Sequence, residues 1–173
     1  TGNTVSLSGA NGIYAHDVTG ADISTNSVTG SANDGILVVD ANAVSVADNT
    51  VLLSGNDGIS LDNVNLGQVT GNGVTGSGNN GISVANSSLV DVDGNTVTGS
   101  LNDGISVVDS NLVNVANNDV LLSGNNGVTV AGSNLVSVAT NTVTGSANDG
   151  IAVSDSSLVD VDGNTVTGSL NDG

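Results

Sequence analysis

The chain has 173 residues, 25 glycines and a net charge of −17, and it lacks Pro, Cys, Met, Phe, Trp, Lys and Arg. This negative field disfavours nucleic acid and anionic membrane surfaces as partners, because both are themselves negatively charged. The absence of cysteine excludes disulfides and thiolate metal sites, and the absence of a long apolar run argues against direct membrane insertion.

A 23-residue unit repeats along the whole chain without an insertion. A fixed period of this length is typical of solenoids, in which each unit buries its apolar face against its neighbours. We therefore predict a single solenoid segment over residues 1–173, with seven full coils and a partial eighth, as part of a longer array. The coils begin at Asn3, Asn26, Asn49, Asn72, Asn95, Asn118, Asn141 and Asn164.

Each unit predicts three short strands, because apolar residues alternate with polar ones between Gly, Asn and Asp. In the coil that begins at Asn95, the residues expected to face inward are Val97 in the first strand, Ile105 and Val107 in the second, and Val113 and Val115 in the third. Leu112 lies at a bend and could face either way. Stacking aligns the equivalent residues of successive coils into columns of valine and isoleucine.

Two further columns contain turn residues. A glycine follows Asn or Asp at the same position of every unit, as at Gly104, and this dipeptide predicts a positive φ at a sharp corner. The asparagine that opens each unit predicts a ladder, because a side-chain amide at a bend can bond the coil on either side. The ladder residues are Asn26, Asn49, Asn72, Asn95, Asn118 and Asn141.

The pattern N-x-V-x-G-S-x-N-D-G-I-x-V, followed by V-x-V before the next Asn, resembles the parallel β-helix repeats of the pectin-lyase-like superfamily in all seven full units. The resemblance implies an all-β fold, a right-handed parallel β-helix, in proteins that are commonly secreted or attached to cell surfaces. The superfamily includes polysaccharide lyases, hydrolases, epimerases, phage tailspikes and adhesins. Because the superfamily contains so many activities, the resemblance indicates the fold more strongly than it indicates any one activity.

The chain contains few residues of the types that carry out catalysis. Enzymes of the superfamily resemble one another in using Lys, Arg or clustered carboxylates, and this chain has no Lys, Arg or Glu. The single Tyr14 and the single His16 lie in one coil without repeated partners, and we interpret them as surface residues. The expectation from the sequence is that the chain is not an enzyme and has no catalytic residues.

The sequence D-V-D-G-N occurs twice and offers candidate calcium ligands, because calcium prefers carboxylate and amide oxygens. The candidates are Asp91, Asp93 and Asn95 in one copy, and Asp160, Asp162 and Asn164 in the other. The alternative is that these residues only form turns. A second acidic column follows the N-D-G turns and includes Asp34 and Asp57; we expect solvent to screen its carboxylates.

Three functions are compatible with the sequence. The first is a structural segment of an extracellular or cell-surface fibre or adhesin stalk, self-associating into filaments and stabilised by calcium, with outward Leu52 and Leu121 marking lateral contacts. The alternative is a polysaccharide-binding or polysaccharide-active β-helix module whose active residues lie outside this segment. A second alternative is ice binding through outward threonine pairs such as Thr96 and Thr98, although this row is interrupted. The expected partners are other copies of the chain, or a cell-surface or polysaccharide ligand.

Overall fold

The computed structural model describes residues 1–173 as twenty strands without a helix. The first ten strands are β1 Thr4–Ser6, β2 Ile13–His16, β3 Asp22–Ser24, β4 Ser27–Ser31, β5 Ile36–Ala47, β6 Thr50–Ser54, β7 Ile59–Thr70, β8 Gly73–Ser77, β9 Ile82–Ala85 and β10 Ser88–Asp93. The other ten are β11 Thr96–Thr98, β12 Ile105–Val108, β13 Asn111–Ala116, β14 Asp119–Leu121, β15 Val128–Ala131, β16 Asn134–Ala139, β17 Thr142–Thr144, β18 Ile151–Ser154, β19 Ser157–Asp162 and β20 Thr165–Thr167.

All strand pairs are parallel, and they align residues that are 23 apart, as in Val97 with Val120 and Ile105 with Val128. The first strand of each coil belongs to a sheet of eight strands, and the remaining strands form a sheet of twelve. The chain is therefore a parallel β-solenoid of about seven coils, which confirms the fold class predicted from the 23-residue period.

Two coils differ from the predicted three strands. In the coils that begin at Asn26 and Asn49, the second and third strands merge into β5 and β7, each 12 residues long. Ala41 and Val64 lie where a corner was expected, and they pair with each other so that the backbone hydrogen bonding of the sheet continues through this point. In the next coil this position is Ser87, whose hydroxyl accepts the Val64 N–H and donates to the Ala85 carbonyl oxygen. The serine side chain thus replaces backbone hydrogen bonds between the strands, and the strand is interrupted there.

The interior is a stack of aliphatic columns. The five residues predicted to face inward in the coil at Asn95 are all at most 2% exposed, and 28 buried residues form one continuous hydrophobic cluster. Branched side chains suit this stack because each has few rotamers to lose on burial. The alternation of apolar and polar residues thus predicted the core correctly.

The glycines that follow Asn or Asp have a role different from the predicted one. Gly104 and its equivalents do not have positive φ. A β-carbon at Gly104 would overlap Val120 Cγ1 and lie 2.6 Å from the Gly127 carbonyl oxygen in the next coil. The prediction of a left-handed corner was wrong, because glycine is required here for the close approach of two coils.

Left-handed backbone occurs instead at other corners, in glycines such as Gly99 and also in residues that are not glycine. One such column lies just before the inward valine of the third strand and is made of Ala43, Leu66, Leu89, Leu112, Leu135 and Leu158. A left-handed conformation costs a non-glycine residue about 1–2 kcal/mol. The hydrogen bonds between coils outweigh this local preference and turn the leucine side chains toward solvent, where Leu112 is 43% exposed.

We predict that Gly104→Ala destabilises the solenoid by about 3 kcal/mol, because the added methyl group overpacks the interior. Gly73→Ala is the matched control: its β-carbon meets nothing within 4 Å and its φ is not positive. That change should be neutral or stabilise by about 0.4–1 kcal/mol, since alanine restricts the unfolded chain. Equal unfolding temperatures for the two variants, followed by circular dichroism, would contradict the packing role.

Candidate functional site

The asparagines that open the coils form a buried ladder along the axis. Asn95 Oδ1 accepts hydrogen bonds from both the backbone N–H and the side-chain amide of Asn72, at 2.9 and 3.0 Å. The Asn95 amide nitrogen donates to Val69 O at 2.8 Å and to Asn118 Oδ1 at 3.0 Å. Equivalent bonds link Asn26, Asn49, Asn118 and Asn141 to their neighbours. Each amide thus satisfies backbone groups that would otherwise be buried without a partner.

A serine column provides a contrast within the same interior. Ser100 is 3% exposed, and its hydroxyl has no hydrogen-bond partner in the protein. The same is true of Ser31, Ser54, Ser123 and Ser146. A buried hydroxyl without a partner opposes folding, whereas a buried amide with several partners supports it.

We predict that Ser100→Ala leaves the unfolding temperature unchanged or raises it slightly, because no hydrogen bond is lost. Asn95→Ala should instead destabilise the fold by about 2–5 kcal/mol, since it leaves two buried donors of Asn72 unpaired. Denaturant unfolding of both variants measures the difference directly. A destabilisation by Ser100→Ala as large as that by Asn95→Ala would contradict this account.

The acidic column at the N-D-G turns is buried, contrary to the expectation that solvent screens it. Asp34 and Asp57 are each 6% exposed. Asp57 Oδ1 accepts the Asn80 backbone N–H at 2.8 Å and the Asn79 side-chain amide at 2.9 Å. Burial raises the pKa of Asp57, the charge of Asp34 raises it further, and the hydrogen bond from Asn80 opposes both effects. The two carboxylates belong to a second ladder with the same 23-residue register, and it is the burial of this ladder that the sequence did not disclose.

We predict that Asp57→Asn stabilises the protein at pH 7 and raises its unfolding temperature by a few degrees. The raised pKa means that the folded state opposes ionisation, so the cost is present above that pKa and disappears below the ordinary value of 3.8. The advantage of the variant should therefore shrink as the pH falls through this window. Asn80 already occupies the equivalent position and accepts the same two kinds of bond.

The matched control for this titration is Asp155→Asn, which removes one charge from an exposed corner. An advantage of Asp57→Asn that does not change between pH 7 and pH 3, or that Asp155→Asn reproduces, would contradict the role of burial.

The structure separates the residues of the candidate calcium sites. Asp91 and Asp93 lie on the outer side of β10 and accept hydrogen bonds from the side-chain amides of Asn114 and Asn117. Asn95 lies beyond the next corner, and its side chain is part of the buried ladder. Asp160, Asp162 and Asn164 occupy the equivalent positions three coils later, in β19 and just after it. Calcium binding at these residues stays a prediction.

One cluster of ionisable side chains joins the first two coils. His16 Nδ1 lies 3.2 Å from Asp17 Oδ2, and His16 Nε2 lies 3.2 Å from Asp40 Oδ2. The Tyr14 ring stacks on the imidazole with 6.0 Å between centroids, and Asn63 donates its amide to the other oxygen of Asp40. Sequence reasoning missed Asp40, although the 23-residue period places it directly over Asp17.

A groove of about 480 Å³ crosses the outer surface of the first four coils. A polar row lies along it, because strand register aligns Asp22, Ser45, Gln68 and Asp91 on successive coils. Leu66 and Leu89 form one rim on two of these coils, and glycine or alanine replaces them on the other two. Hydrogen-bonding groups therefore recur about every 4.8 Å along the axis.

A second groove, of about 590 Å³, lies near the end of the first strands. It is lined by glycine, serine and alanine, with Leu7, Leu53 and Leu101 as its large side chains. It has no ionisable group, and the hydroxyls of Ser31 and Ser54 are buried without a hydrogen-bond partner. Leu52 and Leu121, which were expected to face outward, are half-buried, whereas the adjacent Leu53 and Leu122 are exposed. The first groove offers the more varied polar contacts.

Comparison with known proteins agrees with this architecture. The family model described as the right-handed β-helix region matches residues 1–120 and again residues 57–173. The chain therefore belongs to the right-handed β-helix family. No curated protein matches it in sequence. The structure has no helix that could cross a membrane.

Several solved structures have the same fold. A double mutant of the periplasmic alginate epimerase AlgG has a TM-score of 0.87 at 19% identity, over 96% of this chain and 44% of that one. The A-module of the mannuronan C-5 epimerase AlgE4 from Azotobacter vinelandii has a TM-score of 0.63 at 16% identity, over 97% and 54%. The catalytic unit of a GH87 α-1,3-glucanase from Streptomyces thermodiastaticus has a TM-score of 0.61 at 15% identity, over 97% and 49%. The chain thus spans about half the length of each.

These comparisons overturn the expectation that the chain is not an enzyme. Solved structures that match it along at least 96% of its length include alginate and mannuronan epimerases and a glucanase. The expectation rested on the absence of Lys, Arg and Glu from the 173 residues. In a fold this long, the reacting groups can come from other coils or loops, so the composition of one stretch does not decide the activity of the whole.

Proposed function

We propose that this chain is the glycan-contacting part of a polysaccharide-active β-helix protein, and that it binds a linear sugar polymer along the groove that contains Gln68. The observation that carries the proposal is the shared fold with two epimerases and a glucanase that act on polysaccharides. This is the alternative that the sequence left open, and the matches favour it over the fibre stalk. The proposal places the chain outside the cytoplasm, as the periplasmic relative is.

The groove has the geometry that a linear polymer requires. Ser45 and Gln68 are paired across β5 and β7, and Gln68 and Asp91 are paired across β7 and β10. Hydroxyl, amide and carboxylate groups thus follow one another about every 4.8 Å, within reach of successive sugar hydroxyls. Leu66, which is 48% exposed, gives the groove an apolar wall for the less polar face of a sugar ring.

Charge favours a neutral glycan over an anionic one. The chain has a net charge of −17 and no Lys or Arg to pair with uronate groups. An anionic polymer would approach this surface against a repulsive field unless a cation intervened. We therefore propose an uncharged hexose polymer as the preferred class of ligand.

The groove supplies binding rather than a complete reaction centre. Asp22 and Asp91 are three coils apart, which corresponds to about 14 Å at the usual strand spacing. Paired carboxylates in glycoside hydrolases are about 5–9.5 Å apart, so these two cannot act together on one bond. The proposal therefore assigns the reacting groups of the whole protein to residues outside this groove.

Ice binding receives less support from the outer face of the eight-stranded sheet. The threonines at the first and third positions of these strands are interrupted by Gly73, Asp119, Leu52 and Leu121. The threonine array is therefore interrupted in the coils that begin at Asn49, Asn72 and Asn118.

We predict that soluble α-1,3-gluco-oligosaccharides bind the chain more tightly than alginate oligosaccharides do. Isothermal titration calorimetry with both, in EDTA and again with millimolar calcium, measures the preference. If alginate oligosaccharides bind only when calcium is present and gluco-oligosaccharides do not bind, the proposed neutral ligand is wrong and the ligand is an anionic glycan bridged by the cation. The absence of binding by either class would contradict the proposed function.

Paired variants locate the site. Gln68→Ala and Leu66→Ala should each weaken binding at least about fivefold, because each removes a contact worth about 1 kcal/mol. Leu135→Ala and Ser137→Ala are the matched controls: they occupy the same positions of a coil beyond the groove. Equal losses in the groove variants and the controls would show that the groove is not the site.

A further inference from the structure

We propose that His16, Asp17 and Asp40 bind one divalent zinc ion on the outer surface of the first two coils. One ligand atom from each residue can be chosen so that all three lie within 4.8 Å of one another. His16 is the only histidine of the chain, and there is no cysteine. The surface therefore has one place where an aromatic nitrogen and two carboxylates meet.

The distance between His16 and Asp40 fits zinc. Nitrogen and oxygen ligands bind zinc at about 2.0–2.2 Å, which places the ligands of a tetrahedral ion about 3.3 Å apart. His16 Nε2 lies 3.2 Å from Asp40 Oδ2, which meets this spacing, whereas Asp17 Oδ2 lies 3.2 Å from the other ring nitrogen, Nδ1. The three side chains are exposed, so rotation about their side-chain bonds can bring one ring nitrogen and both carboxylates onto one ion.

The surroundings favour a fixed cation. Asn63 donates its amide to Asp40 Oδ1 at 2.6 Å, which orients the carboxylate while Oδ2 remains directed at the imidazole. Asp17 follows β2 and Asp40 lies within β5, and both have left-handed backbone, with φ of 55° and 52°. The repeat thus places the two carboxylates one coil apart, and the net charge of −17 raises the local concentration of cations.

An imidazole ligand distinguishes this site from the candidate calcium sites. Imidazole suits zinc and related transition metals, whereas magnesium and calcium prefer oxygen ligands alone. Three protein ligands leave a fourth position on zinc for water or for a hydroxyl group of a ligand. The ion would also join the first two coils, which are paired through β2 and β5.

The proposal is tested by titrating zinc chloride into the chain and following heat and the ¹⁵N resonances of the single imidazole. We expect the chain to bind one equivalent of zinc and the ¹⁵N chemical shift of one ring nitrogen to change strongly. A tenfold excess of magnesium should not compete with zinc. His16→Gln should abolish this binding, and Asp40→Asn should weaken it at least tenfold. Circular dichroism of both variants checks that the exposed substitutions leave the fold intact.

Asp155→Asn is the matched control, because Asp155 occupies the position of Asp17 in a coil that has Ser154 in place of the histidine. It should bind zinc as the unchanged chain does. Zinc binding of undiminished affinity in His16→Gln, or binding that leaves the imidazole resonances unmoved, would overturn the proposal. The titration contains no glycan, so its outcome is independent of the proposed function.

Discussion

The 23-residue register between coils is the constraint on which the rest of the structure depends. It aligns every residue with its equivalent above and below, so a favourable contact made once is made along the whole axis. The same rule applies to unfavourable features. A buried hydroxyl without a partner and a left-handed leucine recur along the axis, and the hydrogen bonds between coils have to offset them together.

Two polar ladders show how a narrow interior tolerates polar groups. The asparagine amides bond in one direction along the axis and the Asp or Asn side chains at the N-D-G turns bond in the other. Amide and carboxylate are nearly the same size, which lets Asp57 and Asn80 occupy equivalent places. The two side chains differ in charge, because only the carboxylate of Asp57 places a negative charge in a site with little solvent. The column can thus change its charge without changing its shape.

The proposed glycan groove and the proposed zinc site lie where the repeat is least regular. The groove contains the only glutamine of the chain, and its leucine rim is present on two coils and replaced by small residues on two others. The ionisable cluster depends on the only histidine, beside the only tyrosine. Regular positions maintain the rod, and departures from them provide distinct chemistry. This arrangement is compatible with a fold that different polysaccharide-active proteins share over about half their length.

The sequence by itself determined the period, the coil boundaries, the inward columns and the asparagine positions, because alternation and repetition are local patterns. It named His16 but not Asp40, and it assigned the acidic column to solvent. It also predicted the wrong backbone for Gly104. Those features depend on how closely successive coils approach and which side chain lies above which. Only the tertiary structure decided them, because packing distance and burial are properties of the stack and not of the unit.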